Sequence, residues 1–207
     1  TTYNSNLADY KKQLTETIKA AILSILNDYD NIEERFNIDK IKRHDTDVFN
    51  KLDSLLSESE LNETLSHIAT NLCVDRFQYK QWENLSEYYR ETINQFLDKE
   101  LHNSFNNILR QLESFQSYCI QKLTKKDHNW KTKDDYISRG IEITTEITKE
   151  ILLNQRYFVH KEPFKGEDWN AADKRVWNIQ DEFVAKSHQI KQLMRDFIIM
   201  YKSKQVK

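Results

Sequence analysis

The sequence predicts an all-α fold, an elongated antiparallel bundle of four long helices plus one or two short ones. Three observations lead there. Glycine occurs twice and proline once in 207 residues. Hairpins, sandwiches, barrels and α/β crossovers draw on both residues for their turns, so so few of them imply few turns and long elements. Apolar residues make up 38% and charged residues 31%, less apolar and more charged than an average globular domain. Long thin helices, which expose more surface than they bury, have such a composition. Third, apolar residues recur every three or four positions through most of the chain. The length fits a single all-α domain over 1–207, with a sub-boundary considered near 125–132.

The first helix is expected to start after Asn6, with Asp9 as an early acidic signal. Its stripe is Leu7, Tyr10, Leu14, Ile18, Ile22, Ile25, Tyr29, Ile32 and Phe36, with every gap three or four. Residues 37–45, NIDKIKRHD, interrupt the stripe and read as a connector. A short helix with Val48, Phe49, Leu52, Leu55 and Leu56 follows. Ser57 and Glu60 then form a capping box ahead of a helix whose face is Leu61, Leu65, Ile68 and Leu72.

The longest element is expected from Tyr79 to Leu123. Trp82, Leu85, Tyr89, Ile93 and Phe96 form its first stripe, and Leu101, Phe105, Ile108, Leu112, Phe115, Cys119 and Leu123 its second. Leu101–Phe115 is close to a coiled-coil heptad seam, and the weak helix formers His102-Asn103-Ser104 suggest a kink. KKDHNWKTKDD, at 125–135, is a connector, and Thr132 with Asp135 marks the next start. The fourth helix carries Ile137, Ile141, Thr144, Ile147, Ile151 and Phe158. Its IEITTEI portion competes as a strand, but a lone strand would lack a partner, so a helix is expected, with Gly140 at a close helix approach. After KEPFKGEDW, Asn170 caps a last helix bearing Val176, Ile179, Phe183, Ile190, Leu193, Phe197 and Met200.

Much chemistry is excluded by absence. With glycine only at 140 and 166 there is no GxGxxG, P-loop or nucleophile elbow. CxxC and HExxH are missing, and no histidine has a glutamate three residues before it, as a helical di-metal site needs. Glu63 and His67, four apart, are the nearest substitute and read as a surface contact. No metal and no cofactor is expected. Cys73 and Cys119 read as buried reduced thiols. A net charge of −2 does not favour a dedicated duplex binder. The first residues show no charged leader with an apolar run, and AAILSIL and FIIMY are too short to span a bilayer, so a soluble, cytoplasmic protein is expected.

Three places could carry function. Arg156 and His160 would share one face of a helix. A guanidinium beside an imidazole can cleave a phosphodiester, the histidine moving the proton and the arginine steadying the charge. The competing reading is a helix end, with Arg156 paired to acids such as Glu162 and His160 favoured by the helix dipole. In the basic connector, Lys125, Lys126, Trp130 and Lys131 could hold single-stranded nucleic acid by phosphate attraction and stacking, or form a solvated loop. The aromatic cluster Phe77, Tyr79, Trp82, Tyr88 and Tyr89 is either a partner surface or a wide core face.

RYFVH at 156–160, closing a helix ahead of a loop and a terminal helix, resembles the motif region of HEPN-domain proteins. That resemblance implies an all-α, often dimeric bundle and, in many members, a metal-independent RNase of toxin–antitoxin or antiviral systems. It would make Arg156 and His160 catalytic. The family's motif places four to six residues between Arg and His, whereas three separate them here, and Gln155 stands where a four-residue spacing puts Arg. The function expected first is a non-enzymatic helical interaction module that binds a protein partner or its own copy through a bundle face. The HEPN-like RNase, or an inactive RNA-binding relative, is the alternative.

Overall fold

α1 runs unbroken from Thr2 to Leu55 in the computed structural model, which describes residues 2–126 and 131–206. Side chains are described from residue 12 onward, except at 27 and 29–35. The expected connector at 37–45 is therefore helical. NIDKIKRHD contains neither glycine nor proline, so nothing in it stops a helix. What changes there is the phase of the stripe. Twelve residues separate Phe36 from Val48, which turns the apolar side by about 120° on an α-helix. The chain divides into two compact units, 1–44 and 45–207, and the stretch 125–132 falls inside the second.

The first unit lies wholly within α1. In the second, the last turns of α1 are followed by α2 (Glu58–Asn71), β1 (Cys73–Asp75), α3 (Arg76–Arg90), a 3₁₀ turn (Thr92–Asn94) and α4 (Lys99–Lys122). Then come β2 (Leu123–Lys126), α5 (Lys133–Ile137), α6 (Thr145–Asn154), β3 (Arg156–Val159) and α7 (Trp169–Val206). The fold is mostly helical, as expected, but a small sheet is built into it. No helix is long and apolar enough to cross a membrane among the described residues.

Local chemistry accounts for the helix starts. The Glu60 amide donates to the Ser57 hydroxyl while the Ser57 amide donates to the Glu60 carboxylate, a reciprocal capping box. Asp75 and Gln78 do the same at α3. At α5 the Thr132 amide donates to Asp135. Asn170, expected as the cap of α7, lies inside that helix. The cap is Asp168, whose carboxylate accepts from the Ala171 amide at 2.7 Å.

Two expected long helices are broken. The span 79–123 is divided at 91–98 rather than kinked at 102–104, where α4 is regular. Asp98 caps α4 by accepting from the Glu100 and Leu101 amides. Asp45, buried on α1, accepts from the Leu97 and Asp98 amides at 2.7 and 3.0 Å. A carboxylate some fifty residues away thus satisfies the loop. The expected helix over 137–158 is α5, a turn, α6 and then a strand. Gly140 has φ +72 in the turn that follows α5, and a Cβ built on it would meet nothing within 4 Å. Its reason is backbone conformation, not the close helix approach that was expected.

Helices of the second unit pair antiparallel. Phe105 lies against Phe197 with ring centroids 5.3 Å apart, Phe115 against Phe183 at 5.5 Å, and Lys204 reaches Asp98 at 2.7 Å, so α4 and α7 run in opposite directions. Ser187 donates to the Leu65 carbonyl and binds α2 to the same helix. Trp82 and Tyr89 of α3 close over Phe115 and Phe105. Phe49 stacks on Tyr201 at 3.8 Å, docking the end of α1.

This distribution of burial gives a direct contrast. Phe105→Ala removes a fully buried ring and is expected to cost about 3–5 kcal/mol in urea denaturation. Val184→Ala, at an exposed position, is expected to stay within about 0.5 kcal/mol.

Candidate functional site

Arg156-Tyr157-Phe158-Val159 is aromatic and β-branched, which suits a half-buried pleated strand. It lies at the centre of a three-stranded sheet, order β1-β3-β2, antiparallel to both neighbours. Cys73, Val74 and Asp75 face Phe158, Tyr157 and Arg156. Leu123, Lys125 and Lys126 face Val159, Phe158 and Tyr157, with a register shift between Leu123 and Lys125. The expected helix through RYFVH is therefore a strand, and Arg156 and His160 do not share a helical face. At about 3.3 Å per extended residue their Cα atoms stand about 13 Å apart, against about 6 Å between side chains one helical turn apart.

Each is occupied separately. Arg156 is exposed, and its Nε donates to the Leu153 carbonyl at 3.0 Å. Across the ladder, burial pushes the Asp75 carboxyl up, and the Arg156 charge partly offsets that. His160 stacks on Phe164 at 4.9 Å. Its Nδ1 lies 3.1 Å from the Glu162 carbonyl, to which it can only donate, and its Nε2 lies 3.3 Å from the Glu162 carboxylate. Lys125, on β2, is the cation that pairs with Glu162, at 2.7 Å. The expected Arg156–Glu162 pairing is not formed.

The arginine beside His160 is Arg175, from the first turns of α7. Its guanidinium donates to the carbonyls of His160 at 2.6 Å and Glu162 at 3.0 Å. It also takes both oxygens of Glu167 at 3.1 Å and lies 4.3 Å over the Phe164 ring. Sequence reasoning missed it because eight residues separate Glu167 from Arg175 across a helix start, where no helical spacing rule applies. A guanidinium has five donors in a fixed fork, and these contacts engage all three of its nitrogens. The corner is held by an arginine clamp that leaves little of that cation for a phosphate.

The basic connector is only partly described. Trp130 and His128 lie outside the described residues. Lys125 and Lys126 sit on β2, while the Lys131 ammonium lies 5.7 Å over the Tyr136 ring. Lys131 also accepts from Gln155 at its carbonyl. Glu63 and His67 do not converge with other ligands: His67 contacts Asn71, and no group of three or more His, Cys, Asp or Glu could hold a metal among the described residues. Cys73 and Cys119 are buried and not joined in a disulfide, and burial pushes the Cys119 thiol well above its ordinary range. The aromatic cluster is mostly core, with Trp82 and Tyr89 buried and Phe77, Tyr79 and Tyr88 half-buried. Beside it, a cleft of about 690 Å³ is lined by Tyr79, Tyr157, Ile120 and Leu152 together with Arg76 and Lys80.

An uncovered apolar stripe runs along α1 among the described residues. Leu14, Ile18, Ile22, Ile25 and Phe36 are exposed, from 48% at Leu14 to 68% at Phe36, and Leu23 and Leu26 widen the stripe at its centre. Single exposed leucines are ordinary, but a continuous row is not. The described residues of the first unit all belong to this one helix, so the unit has no second element to bury the row.

The clamp makes the corner pH-sensitive. Hydrogen bonds from Arg175 and the Phe164 amide hold the Glu167 carboxyl below its usual value of 4.5. A depressed carboxylate stabilises the fold above its unfolded pKa, and that contribution is lost as pH falls through the folded value. Hydrogen exchange across 160–168, corrected for intrinsic rates, should show extra opening below pH 4.5. Arg175→Gln should open the same segment at pH 7.

Comparison with family models, with curated proteins and with solved structures finds no match for this chain.

Proposed function

We propose that this protein is a non-enzymatic helical interaction module that associates through the apolar face of α1 with a protein partner or with its own copy. The observation that carries the reading is the row Leu14, Ile18, Ile22, Ile25, exposed on a helix whose unit offers nothing to cover it. Covering one such side chain is worth about 1.5–3 kcal/mol. A row of them supplies the apolar centre from which specific interfaces are built. The spacing of three and four residues suits a helix laid alongside another helix or into a groove.

The HEPN-like reading has weaker support. It needs a histidine and an arginine poised over one phosphodiester, and the geometry around Arg156 and His160 supplies separate partners for each. The cationic side chain near His160 is engaged by two carbonyls and a carboxylate.

The reading is tested with a photo-cross-linking residue placed at position 22 or, half a turn away, at position 24. Irradiation in cells should give discrete protein adducts from 22 and none from 24, and Ile18→Asp with Ile25→Asp should remove them. Adducts absent from both positions, to itself or to any other protein, would sink the module. Incubated with single-stranded RNA in the absence of metal, the wild type and His160→Ala should leave the RNA equally intact. Cleavage that disappears in His160→Ala would instead establish the nuclease.

A further inference from the structure

We infer that the cleft lined by α3, α4 and the sheet binds a small aromatic anion, a flat ring system with a phosphate or carboxylate at one end and an uncharged hydrogen-bond acceptor at the other. The site is separate from the α1 face and stands whatever covers that helix. Its volume, about 690 Å³, falls among small-molecule pockets, which run from about 300 to 1,000 Å³. Tyr79 and Tyr157 line it and meet edge to face, with ring centroids 6.5 Å apart and planes at 69°. Ile120, 62% exposed, and the half-buried Leu152 add aliphatic wall. A corner of two rings with aliphatic sides suits a flat apolar body.

Polar groups give that body a direction. Arg76, Lys80 and Glu83 follow one face of α3 at spacings of four and three, and the charges they bring to the cleft sum to +1. Lys80 and Glu83 pair with each other at 3.5 Å. The Arg76 guanidinium makes no hydrogen bond or ion pair with any described residue, and neither do the Gln116 side-chain amide on α4 and the Thr124 hydroxyl on β2. A free guanidinium fork matches the oxygens of a carboxylate or phosphate. A smaller recess of about 200 Å³ shares Glu83 and Gln116 with the cleft and is lined by Trp82. Glu83, Glu87, Glu113 and Arg90 give the recess a net −2, which disfavours an anion. The Trp82 indole Nε1–H is buried without an acceptor among the described residues. Buried donors are normally satisfied, and an uncharged acceptor on the ligand would satisfy this one. From Arg76 to Trp82 α3 rises about 9 Å, the scale of a nucleoside monophosphate or a two-ring aryl acid.

The test is NMR on the full ¹⁵N-labelled chain, whose four tryptophans give four indole signals. Trp130→Phe, Trp169→Phe and Trp177→Phe assign that of Trp82 by elimination. The probes are adenosine 5′-monophosphate and 6-hydroxy-2-naphthoate, each beside its uncharged counterpart, adenosine or 2-naphthol. At low-millimolar concentration one of the anions should saturably shift the Trp82 indole signal together with the amides of 76–83 and 116–124. Which anion does so separates a nucleotide from an aryl acid. The uncharged counterpart, and the same anion with Arg76→Gln, should each bind about tenfold more weakly. Ile120→Trp should block the cleft by filling it. Arg76 and Ile120 are exposed, and unchanged amide signals away from the cleft will verify that both variants fold. The proposal is overturned if neither anion shifts these signals, if binding is as tight without the charge or with Arg76→Gln, or if the cleft amides move while Trp82 does not.

Discussion

The aromatic contact between α4 and α7 is the constraint on which the second unit depends. Phe105 meets Phe197, Phe115 meets Phe183, and Tyr89 and Phe96 fill in above them. These rings are buried or nearly so. Edge and tilted contacts among aromatic rings add orientation to plain apolar burial. Once α7 is fixed along α4, its remaining sides are available to α2 and to the end of α1. Ser187 lies against α2 and Tyr201 against Phe49. Each helix therefore takes its position from one shared neighbour.

The sheet depends on the same frame. β2 continues directly from the end of α4, and β1 leads directly into α3. Because α3 and α4 already lie side by side, their attached strands arrive with a gap between them, and RYFV fills it. That placement commits the backbone of 156–159 to two ladders and hands His160 to the loop beyond. Arg175 then organises the loop by gathering carbonyls of His160 and Glu162 with the Glu167 carboxylate. Electrostatics at this corner therefore holds a chain reversal together.

What could be read from the sequence follows the range of the forces involved. The stripe of α4, from Leu101 to Leu123, is buried as its spacing requires, since one helix face needs only local periodicity. The starts at Ser57/Glu60 and Thr132/Asp135 were legible because a capping box is closed within four residues. The break at 91–98 was not, because the carboxylate of Asp45 that satisfies its amides comes from fifty residues upstream. The strands were missed because each has three or four residues, too few to show a period of two, and their partners lie at 73, 123 and 156. At the candidate sites, the stripe of α1 was visible as a pattern but its exposure was not, while Arg175 left no spacing signal at all. Reading RYFVH as helix placed Arg156 beside His160, and the actual strand separates them.

Asp45 has a mechanical side. Its carboxylate grips the amides of Leu97 and Asp98 at the point where α1 joins the second unit. Tension drawn along α1 would reach these two hydrogen bonds before the phenylalanine layers. Both point at one short loop, so they would share the load rather than fail in turn. Release there would free the Leu97 and Asp98 amides while Asp98 still caps α4 through the Glu100 and Leu101 amides, so the loop at 91–98 would loosen with α7 and its rings seated.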